Sequence, residues 1–247
     1  MKVLWLSNSN DDTRRPGVAE GLRRPEVMCA RLAAELGEQV DLVVKPMRPS
    51  ADFPGIVARR MEEETPDLVW LNVANYWINY ESTPLKVRRW FGRFGERPAQ
   101  AGFAIANRFA EHRSYRGLRQ IIQRTIGGDP RFTPPEVLAT VEAAARHIIR
   151  DESRILVIEG PRDRVRFYGA GRASARMERR RQWLHRELKE LASSIHCEYY
   201  GSDQPLRRQL TKLSLGKDAF HMDAKGHADS AELDYAALRH AVMAARV

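Results

Sequence analysis

The 247-residue sequence predicts an α/β fold: a doubly wound, mainly parallel five-stranded sheet with helices on both faces. Three observations carry this expectation. Five short apolar runs alternate with segments of helical period along the chain. Four of the five runs are continuous rather than alternating, the pattern of strands covered on both sides. The intervening helical segments are long enough for right-handed βαβ crossovers.

The runs expected as strands are KVLWLS at 2–7, VDLVVK at 40–45, DLVWLNV at 67–73, RILVIEG at 154–160 and IHCEYYG at 195–201. Helices are expected at 26–37, closed by Gly37, and at 55–64, 135–150 and 176–194. A last helix ends the chain, with Ser230 or Asp229 as its N-cap. Residues 78–132 are too many for a simple connection and carry helical pattern of their own, so they read as an insertion beside the third strand, suited to a lid or a partner surface. The chain is expected to form one domain, 1–247, including this insertion.

Composition bounds the function. With 43% hydrophobic and 30% charged residues the chain should fold. Only four apolar residues, Val3–Leu6, follow Met1-Lys2 before the polar Ser7–Asn10, and no run approaches 18 apolar residues, so the expectation is a cytoplasmic protein with no membrane span. Cys29 and Cys197 lie far apart without metal-type spacing and are expected as buried free thiols. The net charge of +9 favours an acidic ligand or partner without choosing one. Of the two densest basic runs, 176–183 reads as the wet face of a helix. In 87–98, Trp90, Phe91 and Phe94 among arginines read as a packed insertion helix with snorkelling side chains rather than a base-stacking surface.

Nucleotide sites are disfavoured. GAGRAS at 169–174 lacks a third glycine and follows no strand directly, and no G-x-x-x-x-G-K-[ST] occurs; the absence of G-x-S-x-G also removes the usual entry to the α/β-hydrolase fold. In a doubly wound sheet, chemistry gathers at the carboxyl ends of the strands. Strand one runs into SNSND, placing Ser9 just beyond its tip; strand three runs into VANYW, placing Asn75 at the neighbouring tip; Asp218 and His221, three residues apart, precede the last helix. A metal on Asp218, His221, Asp223 and His227 is disfavoured because the spacing fits no standard zinc pattern.

At these residues the chain resembles the SGNH (GDSL-type) hydrolases. VLWLSNSN is similar to the family's G-D-S stretch, with Ser7 and Asn8 replacing Gly and Asp and Ser9 as the serine. Val73-Ala74-Asn75-Tyr76 keeps only the Asn of G-x-N-D, whereas Asp218-Ala219-Phe220-His221 matches D-x-x-H in full. The resemblance implies a flavodoxin-like sheet of the SGNH type and acyl transfer through a covalent acyl-enzyme. It makes Ser9 the nucleophile, His221 the base and Asp218 its orienter, with the Asn75 amide and the Ser9 N–H as oxyanion donors. Ser7 takes the nucleophile's place only if strand one ends two residues earlier. Two departures stand out. Asn8 replaces Asp, and the loop after strand two, VVKPMRPSAD, lacks the family's oxyanion glycine and has two prolines that cannot donate. Met47, Arg48 and Ser50 remain as N–H donors there, and Arg48 also as a charged one.

The reading is therefore a serine esterase acting on a small-molecule or carbohydrate-linked ester, O-acetyl or another short acyl group, with no cofactor and no metal. Its rivals are an acyltransferase using the same site, a binding protein of the same fold with a decayed oxyanion hole, and a nucleic-acid binder using the basic insertion. The complete Asp218/His221 pair argues against decay, and no nucleic-acid motif is present.

Overall fold

The computed structural model describes residues 1–7, 11–12, 17–47, 49–79, 81–109, 121, 129–161, 172–201 and 222–246. In chain order the described elements are β1 (Lys2–Ser7), α1 (Arg24–Leu36), β2 (Asp41–Pro46), α2 (Phe53–Glu64), β3 (Leu68–Asn72) and α3 (Tyr76–Asn79). Next come β4 (Glu81–Ser82), α4 (Thr83–Phe91), a 3₁₀ turn (Gly92–Gly95), α5 (Glu96–Phe109), β5 (Asp129–Pro130) and α6 (Pro134–Ile148). The last are β6 (Ile155–Glu159), α7 (Arg172–Ser194), β7 (Glu198–Tyr200) and α8 (Ala224–Ala244).

The main sheet has the order β2-β1-β3-β6-β7, and every pairing in it is parallel. The expected doubly wound α/β sheet is thus the observed one. Because β1 is followed by β2 on one side and β3 on the other, the order reverses between β1 and β3, which is where such sheets hold ligands.

Consecutive residues of each strand enter opposite cores, which is why the runs are continuous in sequence. Val3, Trp5, Leu68, Trp70 and Val157 pack with Met28 and Leu32 of α1 and Leu238 and Val242 of α8. Leu4, Leu6, Val69, Leu71 and Ile158 pack on the other side with Phe53 and Val57 of α2, Val141 and Ile148 of α6, and Leu184 and Leu188 of α7. Each such large apolar side chain contributes roughly 1.5–3 kcal/mol by leaving water.

Four expectations need correction. The last helix starts six or seven residues before Asp229 and Ser230: its N-cap is Asp223, whose carboxylate accepts the Gly226 N–H at 2.8 Å. The fifth main-sheet strand is only Glu198–Tyr200, because Ile195 and Cys197 spend their N–H groups on the α7 carbonyls of Leu191 and Ala192, and His196 turns the chain at φ 53°. The basic run at 176–183 is not wholly wet, since Arg181 is buried and donates to both carboxylate oxygens of Glu178. Trp90, Phe91 and Phe94 do not pack inside an insertion helix; they are exposed.

Candidate active site at the carboxyl ends of the sheet

β1 and β3 pair in register through Leu6 and Leu71, so Ser7 and Asn72 end their strands level with each other. β1 stays regular through Ser7, which is buried and whose carbonyl accepts the Met47 N–H at 2.7 Å. The strand does not end early, so Ser7 lacks the loop position that a nucleophile needs. The same bond takes the Met47 N–H out of the set of oxyanion donors.

Of the residues the sequence singles out, Asn75 is described in full, while Ser9, Arg48, Asp218 and His221 lie outside the described residues. Their described neighbours are anchored. Asp11, two residues past Ser9, is fully buried, and Met222, next to His221, is buried as well.

Asn75 lies beyond β3, which Val73 prolongs by donating to the Glu159 carbonyl at 2.8 Å. The Asn75 carbonyl accepts from the N–H groups of Ile78 and Asn79, which starts the short α3 and buries the Asn75 side chain at the strand tip. The Asn75 Oδ1 accepts from Asn79 Nδ2 at 2.6 Å, and the same Nδ2 reaches the Met177 carbonyl of α7 at 3.2 Å. A carbonyl can only accept, so Met177 fixes which end of the Asn79 amide is the donor, and Asn79 in turn fixes Asn75. The oxygen of Asn75 faces Asn79, and its NH₂ is the end turned elsewhere. Tyr76, which stands where the SGNH pattern has Asp, donates its hydroxyl to the Met47 carbonyl at 3.1 Å and ties α3 to the loop after β2. Buried polar atoms without a partner collect here too: Ser50 Oγ, Trp77 Nε1 and Asn79 Oδ1. Trp77 is otherwise held edge-on against Phe53, at 5.2 Å between ring centroids.

On the opposite face of the sheet the strand ends meet a charged network that the sequence did not disclose. Arg24, the first residue of α1, is buried, and its five N–H groups have five carboxylate contacts. Nε and Nη2 reach Asp11 at 3.3 and 2.5 Å, Nη1 and Nη2 reach Glu159 at 2.8 and 3.0 Å, and Nη1 reaches Asp234 at 2.9 Å. Trp5 and Trp70, stacked at 4.5 Å, donate their indole N–H groups to Asp11 and Glu159 respectively. Tyr200 and Ser230 donate to Asp234. Burial alone would lower the Arg24 pKa, but Asp11, Glu159 and Asp234 outweigh it and hold the guanidinium charged, well above its ordinary value. Two signals could have found the network: a carboxylate, Glu159, ending a doubly covered strand, and strand tryptophans whose N–H groups need acceptors.

The network also touches the run that follows His221. The Arg24 backbone N–H donates to His227 Nδ1 at 3.1 Å, and Asp223 caps α8, so both residues have structural partners. Cys29 is a buried free thiol and Cys197 a half-buried one. Burial pushes each up to about 12, so neither offers a thiolate near neutrality.

No family model matches the chain, and no curated protein sequence does. The fold, however, is similar to that of solved structures, two esterases among them. The chain superposes on TesA with a TM-score of 0.56 at 11% identity, covering 97% of this chain and 98% of that one. An acetylxylan esterase from Geobacillus stearothermophilus gives 0.53 at 16%, covering 96% and 93%. The psychrotrophic esterase EstA from Pseudoalteromonas sp. gives 0.52 at 9%, covering 98% and 96%. The likeness spans nearly the whole of each chain, so the fold is the one found in these solved structures.

Proposed function

We propose that this protein is a serine ester hydrolase of the SGNH type, acting on a small-molecule or carbohydrate-linked ester with a short acyl group such as O-acetyl. The observation that carries the reading is Asn75, a buried amide at the β3 tip whose oxygen is occupied by Asn79. Its donor end is the half turned away from Asn79, beside the β1 tip that leads to Ser9, and an amide N–H there is the kind of group that stabilises developing negative charge. Similarity of fold to acetylxylan esterases supports the acyl class. The two free thiols fit the cytoplasmic location expected from the sequence.

In this mechanism Ser9 Oγ attacks the acyl carbonyl while His221 takes its proton, and Asp218 holds the imidazole. The carbonyl π electrons move to oxygen, and the Asn75 amide and the Ser9 N–H donate hydrogen bonds to that oxyanion. Collapse expels the alcohol, which takes the proton from His221, and water then hydrolyses the acyl-enzyme by the same steps. With the Met47 N–H committed to Ser7 and no glycine in the loop after β2, the third donor of the family falls to Arg48 or Ser50, Arg48 also as a charged group. If neither supplies it, the lost donor costs about 10²- to 10³-fold in the chemical step, which slows the enzyme without abolishing it.

The test is labelling with a fluorophosphonate probe followed by peptide mapping, beside hydrolysis of short-chain aryl esters. Labelling on Ser9 and its loss with activity in Ser9→Ala are expected. An unlabelled wild-type protein that nevertheless binds acylated ligands would support the binding-protein alternative instead.

A further inference from the structure

The positive charge of the chain is concentrated. Residues 83–128 hold ten Lys or Arg against two Glu, a balance of +8, whereas the whole chain carries +9. The antiparallel pair β4–β5 closes this segment at its base, Glu81 opposite Pro130 and Ser82 opposite Asp129.

Within the segment α4 and α5 form a hairpin. Gly102 of α5 lies against Pro84 of α4, where a Cβ would come within 2.8 Å of the proline ring. At the other end Gly92 stops α4 with a φ of +53°, and Gly95 folds back so closely that a Cβ would sit 2.7 Å from the Val87 carbonyl. Around this tight turn the large apolar side chains stand outward. Trp90, Phe91 and Phe94 are 61%, 60% and 78% exposed, and Ile105 on α5 is 51% exposed. Exposed Arg88, Arg89 and Arg97 flank the aromatics, and the Lys86 ammonium lies over the Trp90 ring at 4.7 Å.

We propose that this hairpin tip docks on an anionic lipid bilayer. Cations beside outward aromatic side chains are the composition of an interfacial anchor: the rings enter the headgroup and acyl boundary while Lys and Arg meet anionic headgroups. A tryptophan with a cation against its face suits that boundary. Nucleic acid would also attract the arginines, but three large apolar side chains standing outward within five residues suit acyl chains, which accept apolar groups without requiring base stacking. The proposal is independent of the ester-hydrolase reading.

Sedimentation of the full chain with vesicles tests it, using phosphatidylcholine alone and phosphatidylcholine mixed with phosphatidylglycerol. The protein should pellet with the anionic vesicles only, and raising salt from about 0.1 to about 0.5 M should weaken this. Trp90→Ser/Phe91→Ser/Phe94→Ser should lower the partition coefficient at least about tenfold, with an unchanged circular dichroism melt. Should that variant fold poorly, Arg88→Glu/Arg97→Glu keeps the aromatics and should lose anionic binding by a similar factor. Absence of pelleting by the wild type, or wild-type pelleting by either folded variant, overturns the proposal. So does tip-dependent binding of a single-stranded oligonucleotide or tip-dependent self-association without vesicle binding.

Discussion

At Asn75 the useful half of the side chain is selected by a neighbour four residues on. With its oxygen accepting from Asn79 Nδ2, the Asn75 amide cannot rotate end for end without setting two NH₂ groups against each other. This yields a prediction within the esterase reading. Asn75→Ala should lower kcat by about 10² or more with KM little changed, since the amide acts on the transition state. Asn79→Ala should lower kcat by a smaller factor, roughly tenfold, by letting the Asn75 amide reorient, and should add almost nothing in the Asn75→Ala background. Full activity in Asn75→Ala would remove the oxyanion role; full activity in Asn79→Ala alone would remove only the orienting one. Asn75 was legible in the sequence because it ends an apolar strand in a recognisable frame. Asn79 was not, because its meaning depends on the Met177 carbonyl, 98 positions away.

Helix boundaries show why elements were easier to read than their ends. Thr133 and Glu136 form a reciprocal cap at the start of α6: the Thr133 N–H donates to Glu136 Oε2 at 2.7 Å, and the Glu136 N–H to Thr133 Oγ1 at 3.4 Å. The Thr133 backbone N–H, then its hydroxyl, lower the Glu136 pKa. A depressed carboxylate pKa means that the unfolded state binds the proton more readily. The stabilisation is therefore present above the ordinary Glu value of about 4.3 and is lost as pH falls through the lower folded value. Thr133→Ala should cost about 1 kcal/mol at neutral pH. Its deficit in urea unfolding should shrink as pH falls through the acid range; a constant deficit would mean that the charge of Glu136 plays no part. The caps of α6 and α8 are both local, but only the first lies directly before an unbroken apolar period. The expected α8 cap misses Asp223 because Gly226 and His227 interrupt the apolar pattern; the Asp223 carboxylate and carbonyl hold their N–H groups, and the distant Arg24 N–H holds the His227 ring.

Across the whole molecule, doubly covered strands made the sheet readable, whereas the network that ties its ends together draws on residues 11, 24, 159 and 234 and has no local signature. Its energetics follow from counting. Three carboxylates sit within reach of one buried cation, and such groups are tolerable only when their hydrogen-bonding capacity is met. Arg24 has five N–H donors and uses all five on Asp11, Glu159 and Asp234, while Trp5, Trp70, Tyr200 and Ser230 supply the neutral donors. A lysine would keep the charge but has only three donors and no fork. If charge alone mattered, Arg24→Lys would melt near the wild type. If geometry matters, as the five contacts require, it should lose nearly as much as Arg24→Met, which strips a partner from buried carboxylates and should cost about 3–5 kcal/mol. At roughly 2–4 °C per kcal/mol for a chain of this size, both variants should melt about 6–20 °C lower. The network also holds Asp11, two residues past Ser9, and His227, six past His221. Partly folded Arg24→Lys at low temperature should therefore label with fluorophosphonate more slowly than its folded fraction accounts for. Labelling in strict proportion to that fraction would confine Arg24 to stability and separate the network from the candidate site.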